Sequence, residues 1–240
     1  MSNSGEKISY YVLVPAYNVE KYLRDLIKRI KLHTHNILVI EDGSKDNTLK
    51  IIKEMNIEHI AHPVNKGKGA SLNDGFAYLA EKNIDYVLTM DSDGQHAPED
   101  IPNFIAGALK SRADIILGNR MDNPTGMPII RYLTNRFTSW IITRMCGQKI
   151  SDSQCGFRLI SKKVLKSVAV ESNNYDAESE IIIKAARVGY RISEVQVRTI
   201  YGLEKSTISP FRDTIRFFRL IYRLSRKKPA KLNIKKDNVL

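Results

Sequence analysis

Short apolar stretches rich in β-branched residues recur through the first half of the chain, and this pattern constrains the fold more than any other feature. The segments between them carry apolar residues at helical spacing, as in residues 20–32. Because apolar strands that alternate with helices form βαβ units, the order predicts an α/β fold: a mostly parallel sheet with helices on both faces. The predicted strands lie at residues 9–14, 36–40, 57–61, 84–90 and 113–118, and around 190–198.

The positive charge of the chain is concentrated in its second half. The 240 residues carry a net charge of +12; residues 1–120 have 15 basic and 16 acidic side chains, and residues 121–240 have 23 basic and 10 acidic ones. Such an excess favours an anionic partner: a nucleic acid, a phosphorylated small molecule or a membrane surface. No apolar run reaches the roughly 18 residues of a membrane-spanning helix, and the polar first residues lack the apolar core of a secretory signal. We therefore expect a cytoplasmic protein that does not itself cross a bilayer.

Small and polar residues follow each of the first three predicted strands. They lie at 15–18, 41–48 and 65–70, and the last of these segments is rich in glycine and lysine. In open parallel sheets, ligands bind at the carboxyl ends of the strands. Each segment by itself is more typical of a structural turn than of a site, so the prediction of a site depends on their shared position.

The fourth predicted strand ends in two acidic residues, Asp91 and Asp93, within the sequence Asp-Ser-Asp-Gly-Gln-His. Carboxylates this close repel each other and lose hydration at the end of a buried strand, so the arrangement favours a bound cation. Oxygen ligands of this kind suit Mg²⁺ or Mn²⁺. The alternative is a solvated turn in which Asp93 caps the next helix and Pro98 begins it.

Four segments therefore occur in a fixed order along the chain. They are Val-Pro-Ala-Tyr-Asn (14–18), Glu-Asp-Gly-Ser-Lys-Asp-Asn-Thr (41–48), Asn-Lys-Gly-Lys-Gly-Ala (65–70) and Asp-Ser-Asp-Gly-Gln-His (91–96). This ordered set resembles the family 2 inverting glycosyltransferases, which have a GT-A fold with a Rossmann-like sheet. Two later segments, 152–158 and 201–206, look like the branch of that family that acts on polyprenyl phosphates, such as the dolichyl-phosphate mannose and glucose synthases. The resemblance runs from about residue 9 to about residue 222.

The resemblance implies that a nucleotide-diphosphate sugar binds across the ends of the first four strands. Its metal positions match Asp91, Asp93 and Gln95, where Mg²⁺ or Mn²⁺ would neutralise the charge on the departing nucleoside diphosphate. Many relatives have an acid directly after the first Asn, whereas this chain has Val19 there and the acid at Glu20. The implied nucleotide-sugar-binding residues are Pro15, Ala16, Tyr17, Asn18, Glu20, Asp42, Ser44, Lys68, Gly69, Asp91 and Ser92.

The resemblance also implies that the second half of the chain binds a lipid phosphate. Arginine suits that role because it stays charged and binds phosphate oxygens in pairs. The predicted acceptor-phosphate residues are Arg120, Arg131, Arg136, Lys205 and Ser206, and the predicted catalytic residues are Asp93, Arg120 and Arg131. For Arg131 and Arg136, a solvated helix face is nearly as compatible with the sequence.

A phosphate acceptor is already mostly ionised at neutral pH, so it needs no general base. We therefore expect direct displacement by a phosphate oxygen, with inversion at the anomeric carbon. If the acceptor were a hydroxyl, Asp176 or Glu178 would be the base. Both are explained equally well as acids in the first turn of a helix.

The segment 211–226, wound as a helix, places five arginines in one stripe and aromatic or aliphatic residues over most of the remaining surface. This is typical of a helix lying on an anionic membrane, and a predicted helix at 128–146 could lie beside it. The alternative is a helix packed on the sheet with its arginines in solvent. We expect a catalytic domain at 1–204, with a donor half (8–120) and an acceptor half (121–204), followed by a basic helix and tail at 205–240.

The sequence thus predicts a peripheral enzyme at the cytoplasmic face of a membrane. It would transfer a hexose or N-acetylhexosamine from a nucleotide sugar to polyprenyl phosphate, and an integral-membrane partner is a further option. The first alternative is a family 2 glycosyltransferase acting on a saccharide hydroxyl. An alternative of another class is a non-enzymatic basic module that binds nucleic acid. The order of the segments argues against that module, so we expect no nucleic-acid partner.

Overall fold

The computed structural model describes residues 7–172, 174, 176–200 and 210–226, and it has the predicted α/β fold. The strands are β1 (Tyr10–Ala16), β2 (Ile37–Glu41), β3 (Glu58–Ala61), β4 (Tyr86–Thr89), β5 (Ile115–Asn119), β6 (Arg158–Ser161) and β7 (Ile192–Gln196). The helices are α1 (Glu20–Lys31), α2 (Thr48–Glu54), α3 (Lys68–Ala80), α4 (Ile101–Ser111), α5 (Ile129–Cys146), α6 (Lys162–Ser167), α7 (Asp176–Arg187) and α8 (Pro210–Arg226). All six predicted strands are present within a few residues of their expected positions.

The seven strands form one sheet in the order β3-β2-β1-β4-β6-β5-β7, and only β6 runs antiparallel to its neighbours. The sequence pattern did not predict β6, because this strand has only four residues and begins with a charged one, Arg158. Its register pairs Arg158 with Thr89, the last residue of β4. Since the two strands run in opposite directions, the residues just before Arg158 lie beside those just after Thr89.

Two layers of helices cover the sheet, because successive side chains of a strand point to opposite faces. Val12 and Val14 pack with α1 and α4 on one face, whereas Leu13 packs with α3 on the other. The second face continues as a separate apolar cluster that joins β5, α5, α7 and α8.

The C-terminal helix α8 contributes one face to this second cluster. Phe217, Leu220 and Leu224 are buried there, and α8 packs against α7. Arg223 donates to the buried Glu180 of α7 at 3.1 Å. One face of α8 is therefore packed against α7 and carries a bonded arginine, whereas contact of the rest of this helix with a membrane stays a prediction. Within the described part of the chain, no helix is both long and apolar enough to cross a membrane.

Candidate active site

The strands β1, β2 and β4 are parallel neighbours, so the segments that follow them meet at one edge of the sheet. The first two segments bind each other there. The Asn18 backbone N–H donates to Ser44 Oγ at 3.0 Å, and the Asn18 side-chain oxygen accepts from the Lys45 N–H at 2.8 Å. Glu20 accepts from the Asn47 N–H at 2.9 Å. The predicted donor residues Asn18, Glu20 and Ser44 thus lie together and hold the two loops in place, beside an exposed Tyr17.

Asp42, predicted to bind the donor, is buried and holds the third loop. Its carboxylate accepts from the backbone N–H groups of Lys66 and Gly67, both at 2.9 Å, and lies 2.7 Å from His62 Nδ1. The next residue, Gly43, has a φ of +69°, and a Cβ atom there would lie 2.5 Å from the Val64 backbone. Asp42 therefore positions the loop that carries Lys68.

Lys68 lies at the centre of the site. Its Nζ is 2.6 Å from Asp91 Oδ1, in the segment after β4, and 3.1 Å from Glu178 Oε1, on α7. Burial would lower the pKa of this amine, but the two carboxylates outweigh it and raise the pKa above its usual value. Burial likewise opposes ionisation of Asp91, yet Lys68 and His96 hold its pKa below the usual range. The site therefore keeps a half-buried ammonium and a half-buried carboxylate, both charged.

The second acid, Asp93, lies in the same loop and has less compensation. Its Oδ1 accepts from the Gln95 backbone N–H at 2.9 Å. Burial raises the pKa of Asp93, and the negative charge of Asp91 raises it further. Ser92, between the two acids, donates to the Pro15 carbonyl at 2.7 Å and ties this loop to the end of β1. The loop therefore presents partly uncompensated negative charge at the edge of the sheet.

These residues fit a divalent cation by the chemistry of their donors. Asp91 and Asp93 supply carboxylate oxygens, and the raised pKa of Asp93 indicates charge that a cation would stabilise. Within the described residues, no group of three or more His, Cys, Asp or Glu side chains is arranged to hold a metal. Mg²⁺ needs no such group, because it is often held by one or two carboxylates together with substrate phosphates.

Gly156 leaves room for the Asp91 carboxylate. A Cβ atom at this position would lie 2.5 Å from Asp91 Oδ2 and 2.8 Å from Oδ1. We expect Gly156→Ala to lower kcat/KM for the reaction that the sequence predicts roughly ten- to a hundredfold, because misplacing an active-site group by about 1 Å can have effects of this size. The control is Gly147→Ala at the end of α5, where φ is +65° and the surrounding space is open. It should cost stability through backbone strain and leave kcat/KM unchanged. Equal kcat/KM values for the two variants would contradict this role of Gly156.

Arg120, predicted to bind the acceptor phosphate, is engaged by a buried acid. Its Nε and Nη2 donate to Asp152 at 2.6 and 2.9 Å, and the Asp152 side chain is fully buried. Asp152 also accepts from the Arg120 backbone N–H at 3.2 Å. The pair thereby joins the end of β5 to the segment that precedes β6.

Of the other predicted acceptor residues, two are on α5 and two fall outside the described residues. Arg131 and Arg136 are on α5, where Arg136 donates to Tyr132 Oη at 3.0 Å. Among the described residues, neither arginine is hydrogen-bonded or ion-paired to Lys68 or its partners. Lys205 and Ser206 fall outside the described part of the chain. The two candidate bases, Asp176 and Glu178, both lie in the first turn of α7, and Glu178 contacts Lys68.

Sequence reasoning missed several residues that shape this site. Asp152 and Gly156 belong to the segment 152–158, which was singled out for its resemblance, so their presence near the site had a signal although their contacts did not. His96 likewise belongs to the quoted segment 91–96, whereas His62 had no signal. The contacts of both histidines depend on tertiary structure. Asp42, the partner of His62, comes from another loop, and Asp91, the partner of His96, lies at the opposite end of the same loop.

Comparisons with known proteins agree with this architecture. The model of the family described as "Glycosyl transferase family 2" matches residues 11–169. A UDP-N-acetylglucosamine–dolichyl-phosphate N-acetylglucosaminyltransferase of Methanococcus voltae is 32% identical over 92% of this chain and 97% of its own length. An undecaprenyl-phosphate mannosyltransferase of Micrococcus luteus is 28% identical over 77% of this chain and 81% of its own length.

The fold is shared with a solved structure of more distant sequence. Glucosyl-3-phosphoglycerate synthase from Mycobacterium tuberculosis, in complex with uridine diphosphate, superimposes with a TM-score of 0.67 at 18% identity. The superposition covers 90% of this chain and 79% of the other. Together the matches confirm the resemblance seen in the four ordered segments: the chain belongs to glycosyl transferase family 2 and is a glycosyltransferase with the GT-A fold.

Proposed function

We propose that the protein transfers a hexose or an N-acetylhexosamine from a nucleotide-diphosphate sugar to a polyprenyl phosphate, with inversion at the anomeric carbon. The observation that carries the proposal is the contact of Lys68 with both Asp91 and Glu178. This contact joins residues of the proposed donor half of the chain to a residue of the proposed acceptor half at one half-buried, charged point. The relatives named as transferases acting on dolichyl and undecaprenyl phosphates support this class of acceptor.

The nucleotide sugar would bind in the loops after β1, β2 and β4. The hydrogen bonds of Asn18 with Ser44 and Lys45 give the first two of these loops a defined shape before the substrate arrives, which reduces the entropy lost on binding. Asp42 would act here by positioning the loop of Lys68, since its carboxylate accepts two backbone N–H groups of that loop. The remaining proposed contacts are Pro15, Ala16, Tyr17, Glu20, Gly69 and Ser92.

Asp91 and Asp93, with Gln95, would hold Mg²⁺ or Mn²⁺. The ion, when bound, would neutralise negative charge on the diphosphate that leaves. Lys68 supplies a fixed positive charge beside Asp91. A half-buried ammonium held in place in this way stabilises an anionic leaving group without reorganisation at the moment of reaction.

The acceptor would be its own nucleophile. One phosphate oxygen forms a bond to the anomeric carbon while the bond from that carbon to the diphosphate oxygen breaks, and the nucleoside diphosphate leaves. No proton needs to be removed at neutral pH. The contact of Glu178 with Lys68 supports a role for this carboxylate in keeping the Lys68 amine protonated. Arg120, Arg131, Arg136, Lys205 and Ser206 remain our proposed acceptor-phosphate residues, with Arg120 oriented by Asp152.

A polyprenyl phosphate stays in a membrane, so the enzyme would work as a peripheral protein at the cytoplasmic face. The net charge of +12, carried by the second half of the chain, supports attraction to anionic headgroups. An integral-membrane partner would be a second way to reach the same surface.

The decisive experiment is a transfer assay with the full chain. Radiolabelled UDP-glucose, GDP-mannose and UDP-N-acetylglucosamine are each supplied with Mn²⁺ and polyprenyl phosphate in vesicles. We expect one donor to yield an organic-soluble, acid-labile product, and we expect chelation of the metal to abolish its formation.

The matched control replaces polyprenyl phosphate with the corresponding polyprenol, which lacks the phosphate and should accept no sugar. Label that reaches a saccharide without any dependence on polyprenyl phosphate would contradict the proposal. It would instead support a hydroxyl acceptor.

A further inference from the structure

The helix α5 has an unusual distribution of side chains. Large apolar residues face solvent, and we call this set the α5 outer face. Their exposed fractions are 75% for Ile129, 78% for Ile130, 60% for Leu133, 52% for Phe137 and 55% for Trp140. The buried side of the same helix is partly polar, since Asn135 and Ser139 point inward. The helix is therefore inverted relative to an ordinary surface helix, whose apolar stripe faces the core.

Hydrogen bonds of its buried polar residues fix which side of α5 faces the interior of the protein. Ser139 Oγ accepts the backbone N–H of Ser153 at 2.9 Å and donates to Ser153 Oγ at 3.1 Å. Ser153 follows Asp152, the partner of Arg120. The inner side of α5 is thus bound to the candidate active site, and the outer face lies across the helix from it, a distance of about 10 Å.

The charge of α5 indicates what would cover its outer face. The helix contains Arg131, Arg136 and Arg144 and no acidic residue. Arg144 lies over the Trp140 ring, with 5.3 Å from its guanidinium carbon to the ring centroid, and Phe137 stacks near the same ring. Exposed aliphatic side chains, a tryptophan and arginines together are typical of a helix at the headgroup level of an anionic membrane.

A second copy of this chain fits the outer face less well. A two-fold interface places the same surface against itself, so Arg136 and Arg144, the exposed arginines beside this face, would approach their own copies with no acid on the helix to pair with them.

We propose that the α5 outer face is the surface by which this protein docks on an anionic membrane. The proposal rests on the proposed function and deepens it, because it assigns membrane contact to α5. The apolar residues Phe217, Leu220 and Leu224 of α8 serve the core instead. Docking through α5 would place the active site about one helix diameter above the lipid phosphates.

The chain offers a specific reporter for this contact, because Trp140 is its only tryptophan. The full chain is mixed with phosphatidylcholine vesicles, with or without phosphatidylglycerol. We expect the emission of Trp140 to shift to shorter wavelength, and brominated lipids to quench it, only when the anionic lipid is present. An unshifted spectrum with protein that still sediments with the vesicles would overturn the proposal. A shift that follows protein concentration without vesicles would overturn it in favour of self-association.

Matched double variants locate the contact. Leu133→Gln with Phe137→Gln should lower vesicle partitioning at least about tenfold, from the apolar area lost. Two control pairs should leave partitioning within about twofold: Phe218→Gln with Tyr222→Gln on the exposed side of α8, and Leu32→Gln just after α1 with Leu109→Gln on α4. Loss of partitioning in the α8 variant alone would overturn the proposal.

Transfer assays separate this proposal from the proposed function. With a short, water-soluble isoprenyl phosphate as acceptor, the Leu133→Gln, Phe137→Gln variant of α5 should retain wild-type turnover. With polyprenyl phosphate embedded in vesicles, the same variant should lose its turnover. If the wild-type protein transferred sugar to neither acceptor, the proposed function would fail while the Trp140 measurement still tested docking. If the α5 variant kept wild-type turnover on vesicles, docking through α5 would fail while the proposed function stood.

Discussion

Replacing Asp91 with asparagine is expected to lower kcat/KM for sugar transfer on the order of a hundred- to a thousandfold, or more. The change keeps the shape of the side chain and removes the charge that lies 2.6 Å from Lys68. Losing one preorganised electrostatic contact to a developing charge has effects of this size. Because Asp91 is also a proposed metal position, its loss would weaken retention of the ion as well. The measurement is the rate of transfer from the radiolabelled donor identified above, with circular dichroism to verify the fold.

A matched control for Asp91→Asn is Asp25→Asn on α1. The Asp25 side chain is 72% exposed and lies 3.4 Å from Arg29 on the same helix, and Asp25 is not among the residues proposed to bind substrate or metal. This change should leave kcat/KM within about twofold and stability within about 1 kcal/mol. Retention of most activity in the folded Asp91→Asn protein would remove Asp91 from the proposed mechanism.

The largest effect on stability is expected at Asp152. Changing Asp152 to asparagine removes the negative charge that faces Arg120, whose guanidinium side chain is only 4% exposed. Removing the charge of one member of a buried ion pair costs about 3–5 kcal/mol of unfolding free energy, because the other member stays charged and buried and loses this attraction. The loss should be visible as a shift of the urea midpoint, with an unchanged slope if the unfolding stays two-state.

Two comparisons test the cause of that loss. Glu99→Gln breaks the pair of Glu99 with Arg29, whose side chains are 41% and 28% exposed, and should cost less than about 1 kcal/mol. Arg120→Met combined with Asp152→Leu should cost less than the sum of the single changes, because neither partner is then left charged and buried. Additive single and double losses would show that packing, and not the charge pair, explains the effect.

Much of the fold could be predicted because its signals are local. The runs of β-branched residues predicted six strands, and the parallel order of β1, β2 and β4 follows from the helices between them. The same order predicted that the polar segments after these strands would meet. The strand β6 could not be found this way, since four residues beginning with Arg158 carry no periodic signal. Its position in the sheet depends on pairing with both β4 and β5.

Arg158 illustrates what local patterns cannot contain. A charged residue in a short segment reads as a solvated position, yet this guanidinium is fully buried and donates to three backbone carbonyls, those of Cys155, Glu178 and Ser153. These bonds tie the segment before β6 to α7. The partners are distant in sequence or separated by a turn, so only the folded chain brings them together.

The sequence by itself therefore determined the α/β fold, the family and the edge of the sheet that carries the acids. Each of these follows from short-range periodicity or from an ordered set of segments. The tertiary structure decided the contacts: Lys68 with both Asp91 and Glu178, and Arg120 with Asp152. It also distinguished the two basic amphipathic helices, burying one face of α8 and exposing the apolar face of α5. The physical reason is that periodicity shows which residues share a face of a helix, whereas the neighbouring elements decide which face is covered.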